Sequence, residues 1–332
     1  MICSFCLIKS QGQKTKIKWR YSVLNKLFFT TKQNLIGVDI SATSIKLIEL
    51  EKFRNTCRVK SFGIQPNEEI NHNLGLSLKK LFTTLKIKTK NIALALPYSS
   101  IINKDITLLS SIKKNEIENF LKLNTQKHLG YPLDKICFDY QIQNNKKNND
   151  TLQIKAVIAK KEQAQKLAEI AISAKLKAKT LDVNAFALAR AGSFLLAKEN
   201  YKTVLLANIN YDSALFCVLH QLFPINIQES FPEKSKAQTL ESLSEYVIQY
   251  IKICFASTHV SAEKIILSGD NTQNPHLRSI IEEKINIPTI LANPFEGMKI
   301  SDSIPCELVK KYAPEMMIAT GLALRKFSHD NN

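Results

Sequence analysis

Leu35-Ile36-Gly37-Val38-Asp39-Ile40-Ser41-Ala42-Thr43-Ser44-Ile45-Lys46-Leu47-Ile48-Glu49-Leu50 is the stretch whose reading decides the fold. Its first six residues are a short apolar run, 41–44 a polar turn, and 45–50 an alternating segment, which reads as strand, tight turn, strand. Residues 57–64 offer a third strand, so an antiparallel meander opens the body of the chain. A tight turn of this kind presents N–H groups and hydroxyls to a phosphate, and Gly37 admits a close approach. Asp39 can hold Mg²⁺ through water, and Lys46 adds a compact positive charge. Taken alone, the same residues also fit an ordinary exposed polar hairpin.

Working outward, a helix is expected near 76–86, then a buried strand at 91–96 closed by Pro97. Residues 112–129 carry apolar positions at helical spacing (Ile117, Phe120, Leu121, Leu123). Strands at 137–142 and 152–159 flank a turn rich in Asn and Lys, and a helix at 162–174 follows. That order, β-α-β-β-α, predicts a small α+β module of about 80 residues within 101–180. After Asp182 a larger body returns. It has a helix at 183–198, a strand at 204–209 with a hairpin mate at 213–220, and a long helix at 237–256. A strand at 264–270 runs into a glycine turn, a helix at 276–284 and a strand at 289–291 follow, and 314–327 is read as a final helix. Two halves each open on a strand–turn–strand hairpin, a weak internal pseudo-symmetry.

Composition narrows the classes. The 332 residues are 45% hydrophobic and 23% charged, ordinary for a globular protein. Lys and Arg number 46 against 29 acids, a formal +17, but seven of those cations lie in residues 1–34, which contain no acid and read as a basic unstructured tail. The rest lacks a basic stripe interleaved with aromatics, so nucleic acid is not an expected partner. Seven scattered cysteines are no disulfide framework, and the pair Cys3 and Cys6 cannot complete a tetrahedral zinc site alone. The nine glycines include no G-x-G and no P-loop, and the six histidines show no ligand spacing. No run approaches a membrane span.

Seven further stretches accompany the opening hairpin: 91–97, Tyr131-Pro132-Leu133-Asp134, Leu181-Asp182-Val183-Asn184-Ala185-Phe186-Ala187-Leu188, 265–271, Ile287-Pro288, Ala292-Asn293-Pro294-Phe295, and 313–325 with Gly321-Leu322-Ala323-Leu324-Arg325. Together, over about residues 25–327, they resemble the PilM family, the actin-like proteins of type IV pilus assembly. Relatives open near Val23, so residues 1–22 are expected to lie ahead of the family's common core.

The resemblance implies an α/β, actin-like two-lobed ATPase fold with a duplicated ribonuclease H-like core. It implies a first lobe at 35–100 and 181–200, the inserted α+β subdomain at 101–180, and a second lobe at 201–327. A reduced helical subdomain is expected at 235–258, with the upper part of the second lobe trimmed, and 328–332 as a short tail. By resemblance ATP or ADP with Mg²⁺ is the cofactor. Asp39, Ser41, Thr43, Ser44 and Lys46 would form the first phosphate element, with Asp39 on the metal. Asn208 and Asn210 would form the second, and Gly269, Asp270 and Asn271 the adenosine turn. The expected partner is the cytoplasmic N-terminal peptide of PilN. PilO is expected indirectly, with the PilB and PilT motor ATPases, PilC and self-association as further expectations. The expected place is the cytoplasmic face of the inner membrane, reached through partners.

Departures from the family pattern point away from efficient catalysis. Where relatives carry D-I-G at the second hairpin, this chain reads Asn208-Ile209-Asn210, losing a carboxylate and a close-approach glycine. Asn184 stands where an acid is usual, and Asp212 is read first as a turn former. The expectation is a scaffold with a degraded nucleotide site. A working ATPase and a tether like the division protein FtsA are the alternatives.

Overall fold

The computed structural model describes residues 6–8, 18–20, 35–54, 56–67, 73–112, 116–121, 123, 132–143, 151–230 and 239–327. Within the basic tail, β1 (Cys6–Ile8) pairs antiparallel with β2 (Lys18–Arg20), where the sequence suggested no element. The rest of that tail, Tyr131, the Asn/Lys-rich turn and 328–332 lie outside the described residues.

The first lobe is built as expected from its opening hairpin. β3 (Ile36–Ile40) and β4 (Ser44–Phe53) pair antiparallel with Asp39 opposite Lys46, and β5 (Thr56–Pro66) continues the meander. α1 (Leu74–Thr84) crosses over to β6 (Asn91–Leu96), which runs parallel to β3, and β10 (Lys177–Val183) runs parallel to β6. The second lobe repeats this plan. β11 (Thr203–Ile209) and β12 (Ala214–His220) form the hairpin, and β13 (Phe223–Ser230) is the third strand of the meander. α5 (Leu240–Thr258) crosses to β14 (Lys264–Ser268), parallel to β11, and α6 (Pro275–Ile285) leads to β15 (Thr289–Leu291), parallel to β14. The sheet orders are β10-β6-β3-β4-β5 and β13-β12-β11-β14-β15, the same topology twice, so the pseudo-symmetry hinted at by two hairpins is a duplication of the whole core.

The inserted subdomain is a three-stranded antiparallel sheet, β7 (Ile101–Leu109), β9 (Thr151–Lys160) and β8 (Ile136–Gln143) in that order, with α2 (residues 116–121) packed on it through Ile117 and Leu121. Three assignments from sequence shift. α3 (Lys161–Ser173) and the first four residues of β10 fall within the predicted 101–180 insertion, yet they are layer and strand of the first lobe. Ala164 and Ala171 of α3 are buried in the first core, and Gly75 of α1 abuts Ser173. The helix inside 235–258 is no separate subdomain: Leu243, Val247, Ile251 and Cys254 of α5 form the apolar stripe that covers the second sheet, as α1 covers the first.

The third shift concerns the C-terminal part of the predicted second lobe, which completes the first. β16 (Lys299–Ile300) adds a parallel strand to the outer edge of β5. The final helix begins in a 3₁₀ turn at Ala313–Met316, becomes α-helical as α8 (Met317–Leu324), and tightens again at Arg325–Phe327. Before it lies α7 (Cys306–Tyr312), and α4 (Asn184–Leu195) follows β10. α1 covers one face of the first sheet. α8 lies on the other, backed by α4. This layer is unusually close: a Cβ on Gly37 would sit 1.9 Å from the Ala319 carbonyl oxygen, and one on Gly321 1.8 Å from that of Ala187. The G-L-A-L-R run is thus a packing motif, with its small residues setting the helix against strand and neighbouring helix.

Candidate functional site

The turn of the first hairpin is held by its own side chains. Ser41 N donates to Ser44 O at 3.0 Å, Ser41 Oγ accepts from Ser44 N at 3.2 Å, and Asn67 Nδ2 donates to the carbonyls of Ser41 (2.8 Å) and Ala42 (2.9 Å). Lys46, 1% exposed, projects along the hairpin and donates to Ser41 Oγ at 3.2 Å. The second hairpin closes in the same way, Asn210 N donating to Ser213 O at 2.8 Å.

Asn208 and Asn210 are used differently from the phosphate role expected for them. Asn208 Nδ2 donates to Ser268 Oγ at 3.0 Å, while its Oδ1 accepts from Asn210 Nδ2 at 3.0 Å. Asn210 Oδ1 in turn accepts from the Asp270 N–H at 3.3 Å, and the Asn210 carbonyl accepts from Asn271 Nδ2 at 3.0 Å. An amide can donate and accept at once, which a carboxylate cannot, so this relay fits asparagine. Gly269 has φ +99°, and a Cβ there would lie 2.5 Å from the Ile209 carbonyl oxygen, so the turn is seated directly on the second hairpin. Asp212 is exposed and accepts from Ser213 Oγ at 3.3 Å, a turn residue as read.

The two halves meet through Asp270. Lys46 Nζ lies 2.7 Å from Asp270 Oδ1, and Thr43 Oγ1 donates to Asp270 Oδ2. All ten site residues read from sequence therefore converge: five on the first-lobe hairpin, five on a braced turn and hairpin of the second, joined at one carboxylate. Asp39 is nearly buried. Burial pushes its carboxyl above the ordinary value and Asp270 adds to that, while Lys46 opposes both. Glu315, which sequence reading passed over, hydrogen-bonds Gln273 Nε2; burial and then Asp270 raise its carboxyl, against the pull of Gln273 and Lys46. Its one sequence signal is an acid directly after Ala313-Pro314, inside an otherwise apolar helix start.

A second buried cluster was also missed as chemistry. Asp182, fully buried, meets Arg190 Nη2 at 2.9 Å and Arg325 Nη1 at 2.7 Å, and Arg190 Nη1 donates to the Gly321 carbonyl at 2.7 Å. Burial alone would raise the Asp182 carboxyl, but the two guanidinium groups more than offset it and hold the group below its ordinary range. Both Asp182 and Arg325 belong to the stretches that carried the family resemblance. Their role is to tie β10, α4 and α8 together.

The donors required by a magnesium nucleotide are of the right type but are committed elsewhere. Lys46 and Thr43 hold Asp270, and Asn208 braces the turn. In this arrangement the residues do not fit that group. Among the described residues no cluster of His, Cys, Asp and Glu could hold a metal, and no helix is long and apolar enough to cross a membrane.

A duplicated α/β core whose two hairpins meet in a cleft, with an α+β insertion in the first lobe, defines the actin-like ATPase fold. The family model for type IV pilus assembly protein PilM matches residues 37–225 and 224–327, and the chain belongs to that family. A chain of the solved PilM–PilN type IV pilus biogenesis complex superposes with a TM-score of 0.73 at 18% identity, covering 89% of this chain and 99% of that one. More distant is the cytoplasmic domain of EpsL, an inner-membrane component of the type II secretion system of Vibrio cholerae, at TM-score 0.48 and 10% identity over 90% of this chain and 97% of that one. A Bacteroides thetaiotaomicron protein with an actin-like ATPase fold follows at TM-score 0.46 and 14% identity, over 81% and 95% of the two chains.

Proposed function

We propose that this chain is a scaffold of the type IV pilus inner-membrane assembly complex. It grips the cytoplasmic N-terminal segment of PilN and sits at the cytoplasmic face of the membrane through that partner. Family membership supplies the context. The observation that carries the reading is the contrast between the cleft, whose donors are consumed by protein side chains, and an open cavity of about 180 Å³ at the seam of the inserted subdomain with both lobes.

Tyr98 and Phe186 of the first lobe form one wall, their rings edge to face at 6.4 Å, with Lys104 and Lys155 of the inserted sheet and Ile225 of β13 around the rim. An extended peptide suits such a seam. Among the described strands β13 is the edge of its sheet, and apolar side chains can enter between the rings and Ile225. Slow or absent ATP turnover follows from the committed cleft and suits a structural role, passing force from the motor to the membrane partner.

Anisotropy with a labelled PilN N-terminal peptide tests the reading. Ile225 is 47% exposed, so Ile225→Glu leaves the core intact and is expected to weaken binding at least tenfold. Absence of binding by the unmodified chain, or equal binding by the variant, would remove the reading.

A further inference from the structure

The β3–β4 hairpin is an anion receptor by construction. It gathers the Ser41 and Thr43 hydroxyls, 3.3 Å apart, beside one buried ammonium, an arrangement whose cation would be unbearably unpaired without a negative partner. The anion found there is a side chain of the opposite lobe. We propose that Asp270 permanently fills this receptor, latching the two lobes together in the position where an actin-like protein would close on a bound phosphate.

Three independent observations carry the assignment. The first is contact: Lys46 Nζ lies 2.7 Å from Oδ1 as an ion pair and Thr43 Oγ1 donates to Oδ2, so both carboxylate oxygens meet the first-lobe hairpin across the cleft. The second is delivery. The relay Ser268–Asn208–Asn210 ends on the Asp270 N–H, and Gly269 packs its turn on Ile209 so tightly that a methyl group would collide with backbone. Asp270 is thereby placed by the second lobe's framework and not by a mobile loop. The third is charge. A carboxylate at 208 or 210 would add repulsion next to Asp270 and lose the donor that each amide contributes, whereas the neutral pair adds no negative charge there.

An incoming phosphate must therefore expel a preplaced carboxylate from a desolvated lysine before it gains anything. The lobes close on the chain itself and stay closed in the absence of nucleotide.

The inference deepens the scaffold reading of the same cleft but does not depend on PilN: loss of peptide binding leaves it standing. The test uses the full chain with Mg-ATP and pyrophosphate as probes, followed by calorimetry, with hydrogen exchange of residues 41–46 and 264–273 as a second readout. The unmodified protein is expected to give no saturable binding at millimolar probe. Asp270→Asn, which keeps the shape and removes the charge, is expected to speed exchange in both segments at least tenfold and to gain pyrophosphate binding that disappears again in Asp270→Asn with Lys46→Met. Thr43→Val, a milder change, is expected to speed exchange by a smaller factor. Micromolar Mg-ATP binding by the unmodified protein that Lys46→Met abolishes would overturn the latch, as would unchanged exchange in both Asp270→Asn and Thr43→Val.

Discussion

Asp182→Ala should be among the most damaging single changes in the molecule, although Asp182 lies outside the cleft. The carboxylate is fully buried between Arg190, 14% exposed, and Arg325, 5% exposed. Removing it strands two guanidinium groups in a closed interior, and loss of one partner from a buried charge group costs about 3–5 kcal/mol. An unfolding entropy of about 2.1 cal/mol/K per residue, over roughly 290 residues, gives about 0.6 kcal/mol per degree, so the melting temperature should fall by about 6 °C. Because the folded carboxyl is held below its ordinary value of 3.8, its contribution is present above that pH and is lost as pH falls through the lower folded value. Thermal melts of both proteins at neutral pH and near pH 3 should therefore show a large gap that narrows with acid. Simultaneous Asp182→Leu, Arg190→Met and Arg325→Met should recover most of the loss, since no charge is then left unpaired. A drop below about 1 °C for Asp182→Ala, or a gap that widens with acid, would refute the assignment of these three groups as one charge-balanced brace.

Asp39 carries the opposite sign. Its folded carboxyl is raised above 3.8, so it costs stability as pH climbs through the window above that value, and Asp39→Asn should gain on the unmodified chain between acid and neutral pH in urea titrations; a steady or shrinking difference would contradict this. Gly37→Ala should cost about 3 kcal/mol or more, because backbone atoms of α8 stand 1.9 and 2.8 Å from the new methyl. Gly297→Ala meets nothing within 4 Å and bears only the strain of φ +74°, about 1 kcal/mol, so a reversed order of the two melting temperatures would sink the packing argument.

The local rhythm of the chain was legible. Residues 91–96 and 289–291 form strands at the predicted bounds, because after Asn91 and Thr289 both are apolar, the first stopped by Pro97 and the second begun after Pro288. The first meander followed from alternation in β4 and β5. β13 escaped notice because Pro224 interrupts the run; proline is tolerated on an edge strand, and here it sits where the pairing with β12 shifts register. Pro314 likewise hides the 3₁₀ start of the last helix, whose carbonyl at Pro314 takes the Gly269 N–H. What no window of sequence reveals is which sheet a helix serves. α3 and α8 are separated from their partners by inserted or intervening segments, and only the three-dimensional layer returns them to the first lobe. At the cleft, sequence named ten residues that the fold brings together, but not the bonds they make with one another. Spacing cannot show that Lys46 and Asp270, 224 positions apart, satisfy each other.

The crossing of β16 and α8 back onto the first sheet also fixes the order in which the molecule can be made. The cluster of Ile48, Leu50, Val59 and Phe62 stays incomplete until Phe295, Met316, Ala319 and Ala323 arrive. A ribosome that has released the whole opening meander, crossover and insertion still holds an unfinished domain with an apolar face open to solvent, and that exposure lasts until residues 313–324 have emerged. The two lobes are thus not successive folding units. Loss of residues 313–324 would strike the amino-terminal lobe first, while α5 and α6 would still cover one face of the later-made sheet β13-β12-β11-β14-β15.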